Sequence, residues 1–288
     1  MPANRTNRGG RGHTANHGQG AQRGQRGGGR GGRGRGGRGG RGGRGGASSS
    51  SSAPYVQPTY PPEATLNLYN SNDPNLSTKL NLPGIKRIRF GADFDIQDTH
   101  LQTMSSIPTL MNTLQVLSLG DSDTGKGAWL TDAGVQPFLS QAPNLISLTL
   151  DACTSLTNAA LIHALESCPR LQFLQITGND KVRGKITDSV FKTIRERENI
   201  GVYLRELVLY DQPVSPFSKE FKDLSKARKD LTMREGETLG DGISANMIAA
   251  MSGGAMTTAW RNGKMVGIDT DMGFYGPGGY DMPFDDFF

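Results

Sequence analysis

Seven Arg-Gly-Gly triplets, starting at Arg8, Arg26, Arg30, Arg35, Arg38, Arg41 and Arg44, are the residues of this 288-residue chain whose type and spacing point most directly to chemistry. A guanidinium neutralises a phosphate, forks onto two of its oxygens and stacks on a base, while glycine lets the backbone follow an irregular strand. The chemistry expected is RNA contact, weakly selective for sequence and steeply salt-dependent. Other candidate motifs fall short. GDSDTGKG, Gly120 to Gly127, has the G-x-x-x-x-G-K spacing of a phosphate-cradling loop. But Gly127 stands where Ser or Thr must hold Mg²⁺, and Asp121 and Asp123 repel a triphosphate; the EF-hand spacing fails as well. A solvated insertion loop accounts for the string. Cys153 and Cys168 have no CxxC partner or nearby His pair to complete a zinc set. His13 and His17 lie in the Arg/Gly block, and His100 and His163 on separate predicted helices, so no Ser/His/Asp or Cys/His arrangement forms. No catalytic residue, metal or cofactor is expected, and the chain reads as a non-enzyme.

Composition separates the block that carries the arginines from the elements that hold the rest. Residues 1–46 contain 20 of the 40 glycines, 11 Arg and no Asp, Glu, Val, Ile, Leu, Phe, Tyr or Trp. Such a segment cannot bury enough apolar surface to offset its ordering entropy and is expected to be disordered. Removing its 11 Arg from the 32 Lys+Arg leaves 21 against 27 Asp+Glu, so residues 47–288 carry about −6. Residues 47–81 read as a Ser/Pro-rich solvated linker. Apolar periodicity then runs over 82–231, about the size of one domain. The remainder, 232–288, reads as mostly disordered, with at most a short helix near 243–251. No apolar run is long enough to span a bilayer, no secretory signal is visible and two cysteines make no disulfide framework. The expectation is a nuclear or cytoplasmic protein with no membrane contact, not a secreted one.

The middle block repeats itself. Five segments share L-x-x-L-x-L: Ile85, Ile88, Phe90; Leu114, Leu117, Leu119; Leu145, Leu148, Leu150; Leu171, Leu174, Ile176; and Leu204, Leu207, Leu209. The alternation predicts a short strand with one buried face. A second element follows each of the first four: IQD (96–98), LTD (130–132), LTN (156–158) and ITD (186–188). Threonine there is a good helix N-cap and the next Asp complements the helix dipole. Each unit is therefore predicted as strand, loop, helix, and residues 216–231 read as an amphipathic capping helix.

LISLTLDACTSLTNAALIHALESCPRL, 145 to 171, resembles a full unit of the cysteine-containing leucine-rich repeat subfamily found in F-box proteins and related ribonuclease-inhibitor-like solenoids. The likeness is specific for that unit, looser in the other four, and covers roughly residues 85–211. The resemblance implies an α/β fold, a short leucine-rich repeat solenoid of about five repeats, with parallel strands on the concave face, helices on the convex face and disordered tails. It also implies that Cys153 and Cys168 face the core, and a protein-binding habit. No upstream region resembles an F-box; that place is held by the Arg/Gly block, which resembles RGG-box segments of RNA-binding proteins and is methylatable.

The concave face is the expected protein-binding site. Residues flanking the central apolar position point away from the core: Arg87 and Arg89; Val116 and Ser118; Ser147, Thr149 and Asp151; Phe173 and Gln175; and Glu206, Val208 and Tyr210. This surface runs from basic to acidic, with Phe173, Val208 and Tyr210 as an exposed hot spot or, on an equal footing, covered by the capping helix. The function expected is a non-catalytic RNA-associated adaptor, its partners RNA, an unidentified protein on the concave face and an arginine methyltransferase. The competing reading is a substrate receptor of an SCF-type ubiquitin ligase; a third is a condensate-forming protein without a dedicated RNA. Residues 268–288, with five Asp, six aromatics and no Lys or Arg, are charge-complementary to the Arg/Gly block and read either as a competitor of RNA for it or as a docking motif.

Overall fold

All fifteen apolar positions of the five L-x-x-L-x-L segments turn inward, none more than 4% exposed. In this computed structural model, which describes residues 55–121, 124–179, 181–237 and 256–270, the second and third positions of each segment lie on short strands joined in chain order into one nine-stranded sheet, and the first lies just before its strand. The strands are β1 (Thr65–Leu68), β2 (Arg87–Phe90), β3 (Val116–Leu119), β4 (Ser147–Leu150), β5 (Phe173–Thr177), β6 (Glu206–Tyr210), β7 (Thr232–Glu237), β8 (Met256–Arg261) and β9 (Lys264–Thr270). Pairing is parallel from β1 to β7 and antiparallel from β7 through β9. Helices follow the strands: α1 (Leu76–Leu80), α2 (Asp98–Ser105), α3 (Pro108–Thr113), α4 (Asp132–Ser140), α5 (Asn158–Ser167), α6 (Ser189–Glu196) and α7 (Lys219–Ala227). Helices α2, α4, α5, α6 and α7 pack side by side in that order. Between them and the sheet lies a continuous apolar core. The fold is thus mixed α/β.

Register repeats because the apolar side chains stack rung on rung. Ile88, Leu117, Leu148, Leu174, Leu207 and Met233 are successive Cα partners along the sheet, and each is buried. A polar ladder fixes the helices in the same way. Asp98 Oδ1 accepts from Thr131 N (3.0 Å) and Oδ2 from Thr131 Oγ1 (2.6 Å). Asp132 does the same for Thr157 (2.9 and 2.6 Å), and Asp188 accepts from Ser215 N (2.9 Å). Between them Asn158 accepts from Thr187 N (2.8 Å) while its amide donates to Thr187 Oγ1 (2.9 Å). Thr157 caps its own helix, accepting from Ala159 N at 3.1 Å. Asp98 and Asp132 therefore do more than complement their own helix dipoles: they bind the N-cap threonines of α4 and α5, while Asp188 binds the backbone just before α7.

The sheet extends past both boundaries read from composition. Residues 65–80, inside the expected linker, form β1 and α1, because Leu66, Leu68 and Leu80 add to the core and cover one end of the apolar stack. Residues 232–237 and 256–270, inside the expected tail, form β7 and a β8–β9 hairpin. Its turn is Asn262-Gly263, both at positive φ (51° and 72°), the combination that a tight two-residue hairpin turn requires. Trp260 pairs with Met233 and lies edge-to-face with Phe221 of α7 at 6.0 Å, closing the other end of the core. The core-side position of β7 is held by Glu235, which accepts from Thr258 Oγ1 across the antiparallel pair (2.6 Å) and whose carboxyl is raised by burial. The short helix expected near 243–251 and residues 271–288 lie outside the described residues. α7 forms where a cap was expected, but it joins the helix layer beside α6 and does not cross the open face of the sheet.

Candidate functional site

The side chains opposite the core are arranged in rows, since alternate residues of each strand share a face and register sets their neighbours. One row, at the strand starts, is Thr65, Arg87, Val116, Ser147, Phe173, Glu206 and Thr232. The next is Asn67, Arg89, Ser118, Thr149, Gln175, Val208 and Arg234. Asp151, Thr177 and Tyr210 stand beyond them at the strand ends. The expected concave-face residues therefore do share one face.

The two rows differ in what covers them. Residues 55–61, YVQPTYP, cross the first row as an extended segment. The Tyr55 ring stacks on Phe173, centroids 5.2 Å apart and planes 26° from parallel. Arg87 donates to Gln57 Oε1 at 3.2 Å, and the Tyr60 hydroxyl donates to Gln115 Oε1 at 2.7 Å. Burial raises the hydroxyl pKa of both tyrosines. Ser147 faces the Tyr55 hydroxyl and is wholly buried, as is Val116. In the second row Arg89 is exposed and Ser118, Thr149 and Gln175 are half-buried.

Two expectations for this surface need correction. Val208 is buried at 2% exposure and offers no apolar hot spot. The reason is β7: it pairs with β6, and Arg234, the rung partner of Val208, reaches diagonally to Glu206 (2.6 Å). The same ion pair neutralises the acidic end of the expected charge gradient. Phe173 is not free either, being stacked under Tyr55.

Asp151 occupies the most unusual environment of the set. Burial pushes its carboxyl up to about 6, against hydrogen bonds from Gln175 Nε2 (2.8 Å) and Thr177 Oγ1 (3.4 Å); nearby Asp121 raises it further and Arg89 lowers it. Gly120 and Gly127, the two ends of GDSDTGKG, pack against this corner. A Cβ on Gly120 or Gly127 would stand 2.0 Å from the Asp151 carbonyl oxygen. Those glycines permit close backbone approach between units, a role that explains their places without a phosphate.

The remaining candidates have structural partners. Cys153 and Cys168 are buried free thiols, Cys168 pushed up to about 12 and Cys153 well above its ordinary value by burial. His100 Nδ1 accepts from Gln97 N at 3.0 Å, closing the start of α2; His163 Nε2 bonds the Ser140 and Ser167 hydroxyls at 2.8 and 3.0 Å. Among the described residues no group of three His, Cys, Asp or Glu is placed to hold a metal ion. Nor is any described helix long and apolar enough to cross a membrane. The seven triplet arginines, from Arg8 to Arg44, lie outside the described residues. Sequence reasoning missed Tyr55, Gln57 and Tyr60. Their signal was two tyrosines among prolines directly before a Leu-x-Leu strand. Compared with known proteins, the chain matches no family model and no curated protein.

Proposed function

We propose that the chain is a leucine-rich repeat solenoid of the cysteine-containing type acting as a non-catalytic, RNA-associated adaptor. In this reading the open face of the sheet binds a protein and the Arg/Gly block contacts RNA. The observation that carries it is the pair of side-chain rows: seven parallel strands in continuous register present polar, charged and aromatic groups side by side. A surface built by repetition recognises extended or folded polypeptide over many weak contacts, rather than enclosing a small molecule. Supporting it, among the described candidates Cys153 and Cys168 are packed in the core and His100 and His163 are held by hydrogen bonds to neighbouring backbone or hydroxyl groups. The RNA half rests on eleven arginines within residues 1–46 with no acid among them.

The test is RNA affinity of the full chain and of a chain lacking residues 1–46, each measured across a salt series. The full chain should bind with affinity falling steeply as salt rises, by about a thousandfold between 50 and 200 mM if six or more phosphates are neutralised. The shortened chain should lose RNA binding and keep its melting transition. Equal affinity in the two chains, or a flat salt response, overturns the RNA half. Recovery of a cullin and its adaptor in place of ribonucleoproteins, in purifications with and without ribonuclease, replaces the reading with ubiquitin ligation.

A further inference from the structure

We propose that the first side-chain row is a docking groove for an extended, tyrosine-bearing peptide, and that residues 55–61 of the chain itself occupy it as a displaceable internal ligand. The proposal rests on the adaptor reading and names the chemistry of its protein partner.

The segment has the marks of a bound peptide rather than of a piece of the fold. Its contacts with the sheet are made by side chains: a ring on Phe173, an amide at Arg87, a hydroxyl at Gln115. Among the described residues 55–60 no backbone N–H or C=O pairs with backbone elsewhere, and Pro58 and Pro61 have no N–H to offer. Beneath it the hydroxyls of Tyr55 and Ser147 are both buried, yet neither makes a hydrogen bond of ordinary geometry. Val56 meanwhile is 78% exposed. A native strand or helix is held by paired backbone groups; this segment is held by one stacked ring and two polar contacts. Segments so lightly tied belong to the low-stability end of a structure and open without global unfolding.

The geometry also defines the partner. An aromatic ring must stack on Phe173, and a second hydroxyl-bearing ring five residues later must reach Gln115. An acceptor side chain between them meets Arg87, and proline is tolerated because the groove asks nothing of the peptide backbone. Pre-extended, proline-containing segments lose less entropy on docking, which favours them in such a groove. A partner peptide must displace the internal segment, so apparent affinity is set by the fraction of molecules in which the groove is open.

The probe is a fluorescein-labelled synthetic peptide of residues 52–64, titrated by anisotropy into the full chain and into full-chain variants. Tyr55→Ala with Tyr60→Ala empties the groove and should bind the peptide at least about tenfold more tightly than the wild-type chain, the gain expected if the groove is closed about nine-tenths of the time. Adding Phe173→Ala should abolish that gain, and so should replacing both tyrosines of the peptide with alanine. Tyr55→Phe, which keeps the ring, should behave as wild type. If the double alanine variant melts earlier than wild type, Gln57→Ala with Tyr60→Phe, which removes only the two polar contacts, must still tighten binding, by a smaller factor. No gain in any opened variant, or a gain that survives Phe173→Ala, overturns the proposal. The adaptor reading fails separately, in the RNA and ribonuclease experiments, whichever way the peptide titration falls.

Discussion

The two side-chain rows on the open face of the sheet are built by the same strands, two residues apart, yet one is covered and the other is not. In the first row Val116 and Ser147 are fully buried and Phe173 carries a tyrosine; in the second Arg89 is exposed and Ser118, Thr149 and Gln175 stay half-buried. Strand geometry does not produce this difference, since period-two alternation treats the rows alike. Side-chain type does. The first row offers an aromatic ring, a small hydroxyl and a β-branched apolar residue in sequence, a strip on which an apolar-edged segment gains by losing water. The second offers Arg89, Ser118, Thr149 and Gln175, which water serves equally well. The repeat thus supplies a scaffold, and the residues between its fixed leucines decide which part of the face is covered.

The largest expected effect comes from beneath the rows. Leu148→Ala or Leu174→Ala, adjacent rung partners at 0% exposure, should each cost about 2–5 kcal/mol in denaturant unfolding; a melting transition that hardly moves breaks the claim that one stacked core supports both rows. Next is the helix ladder. Asp132→Ala leaves the Thr157 amide and hydroxyl without their acceptor and should cost about 1–3 kcal/mol. Asp132→Asn should cost less than half of that, because Asn158 does the same work one unit later. Equal losses in the two variants break the equivalence of the rungs.

The strand-end carboxylate sharpens the comparison through pH. Asp151 titrates near 6 in the folded chain and near the ordinary 3.8 when unfolded. The unfolded chain therefore releases the proton first, and this group's contribution to stability falls as pH rises from about 4 through 6. Asp151→Asn keeps an acceptor for Gln175 and Thr177 and removes the buried charge. It should be more stable than the wild type at pH 7.5, on the order of 1 kcal/mol after solvent screening, and indistinguishable at pH 4. Denaturant midpoints at the two pH values check the sign; a variant less stable at pH 7.5 contradicts it. The smallest effect belongs to the second row, where Thr149→Ala should change stability by no more than about 0.5 kcal/mol.

The regular interior was legible because its signals are redundant. Leu145, Leu148 and Leu150 fix the strand and Thr157 the helix start, and each unit restates the others. The ends were not, for a physical reason in each case. At β1 the first apolar position of the pattern is Glu63, preceded by prolines, so composition reads as linker although Leu66 and Leu68 keep the strand period. At β7 a glutamate stands in the core-side position, tolerable only because Thr258 from the hairpin donates to it, a partner no local pattern shows. The hairpin itself carried a direct signal, Asn262-Gly263 between short alternating runs, that surrounding glycine and methionine masked. The open-face residues were correctly assigned to one face, but their covering was invisible: stacking between Tyr55 and Phe173 spans more than a hundred residues and leaves no periodic trace.

The claim that the face is divided into a self-covered row and an open one meets its most direct test in solution spectra of the full chain. Nuclear Overhauser contacts between the Tyr55 and Phe173 rings should be present, and Tyr55→Ala should remove them while shifting the signals of Val116 and Ser147 and leaving those of Ser118 and Thr149 in place. Absence of the ring contact in the wild-type chain, or shifts of equal size in both rows, contradicts the account.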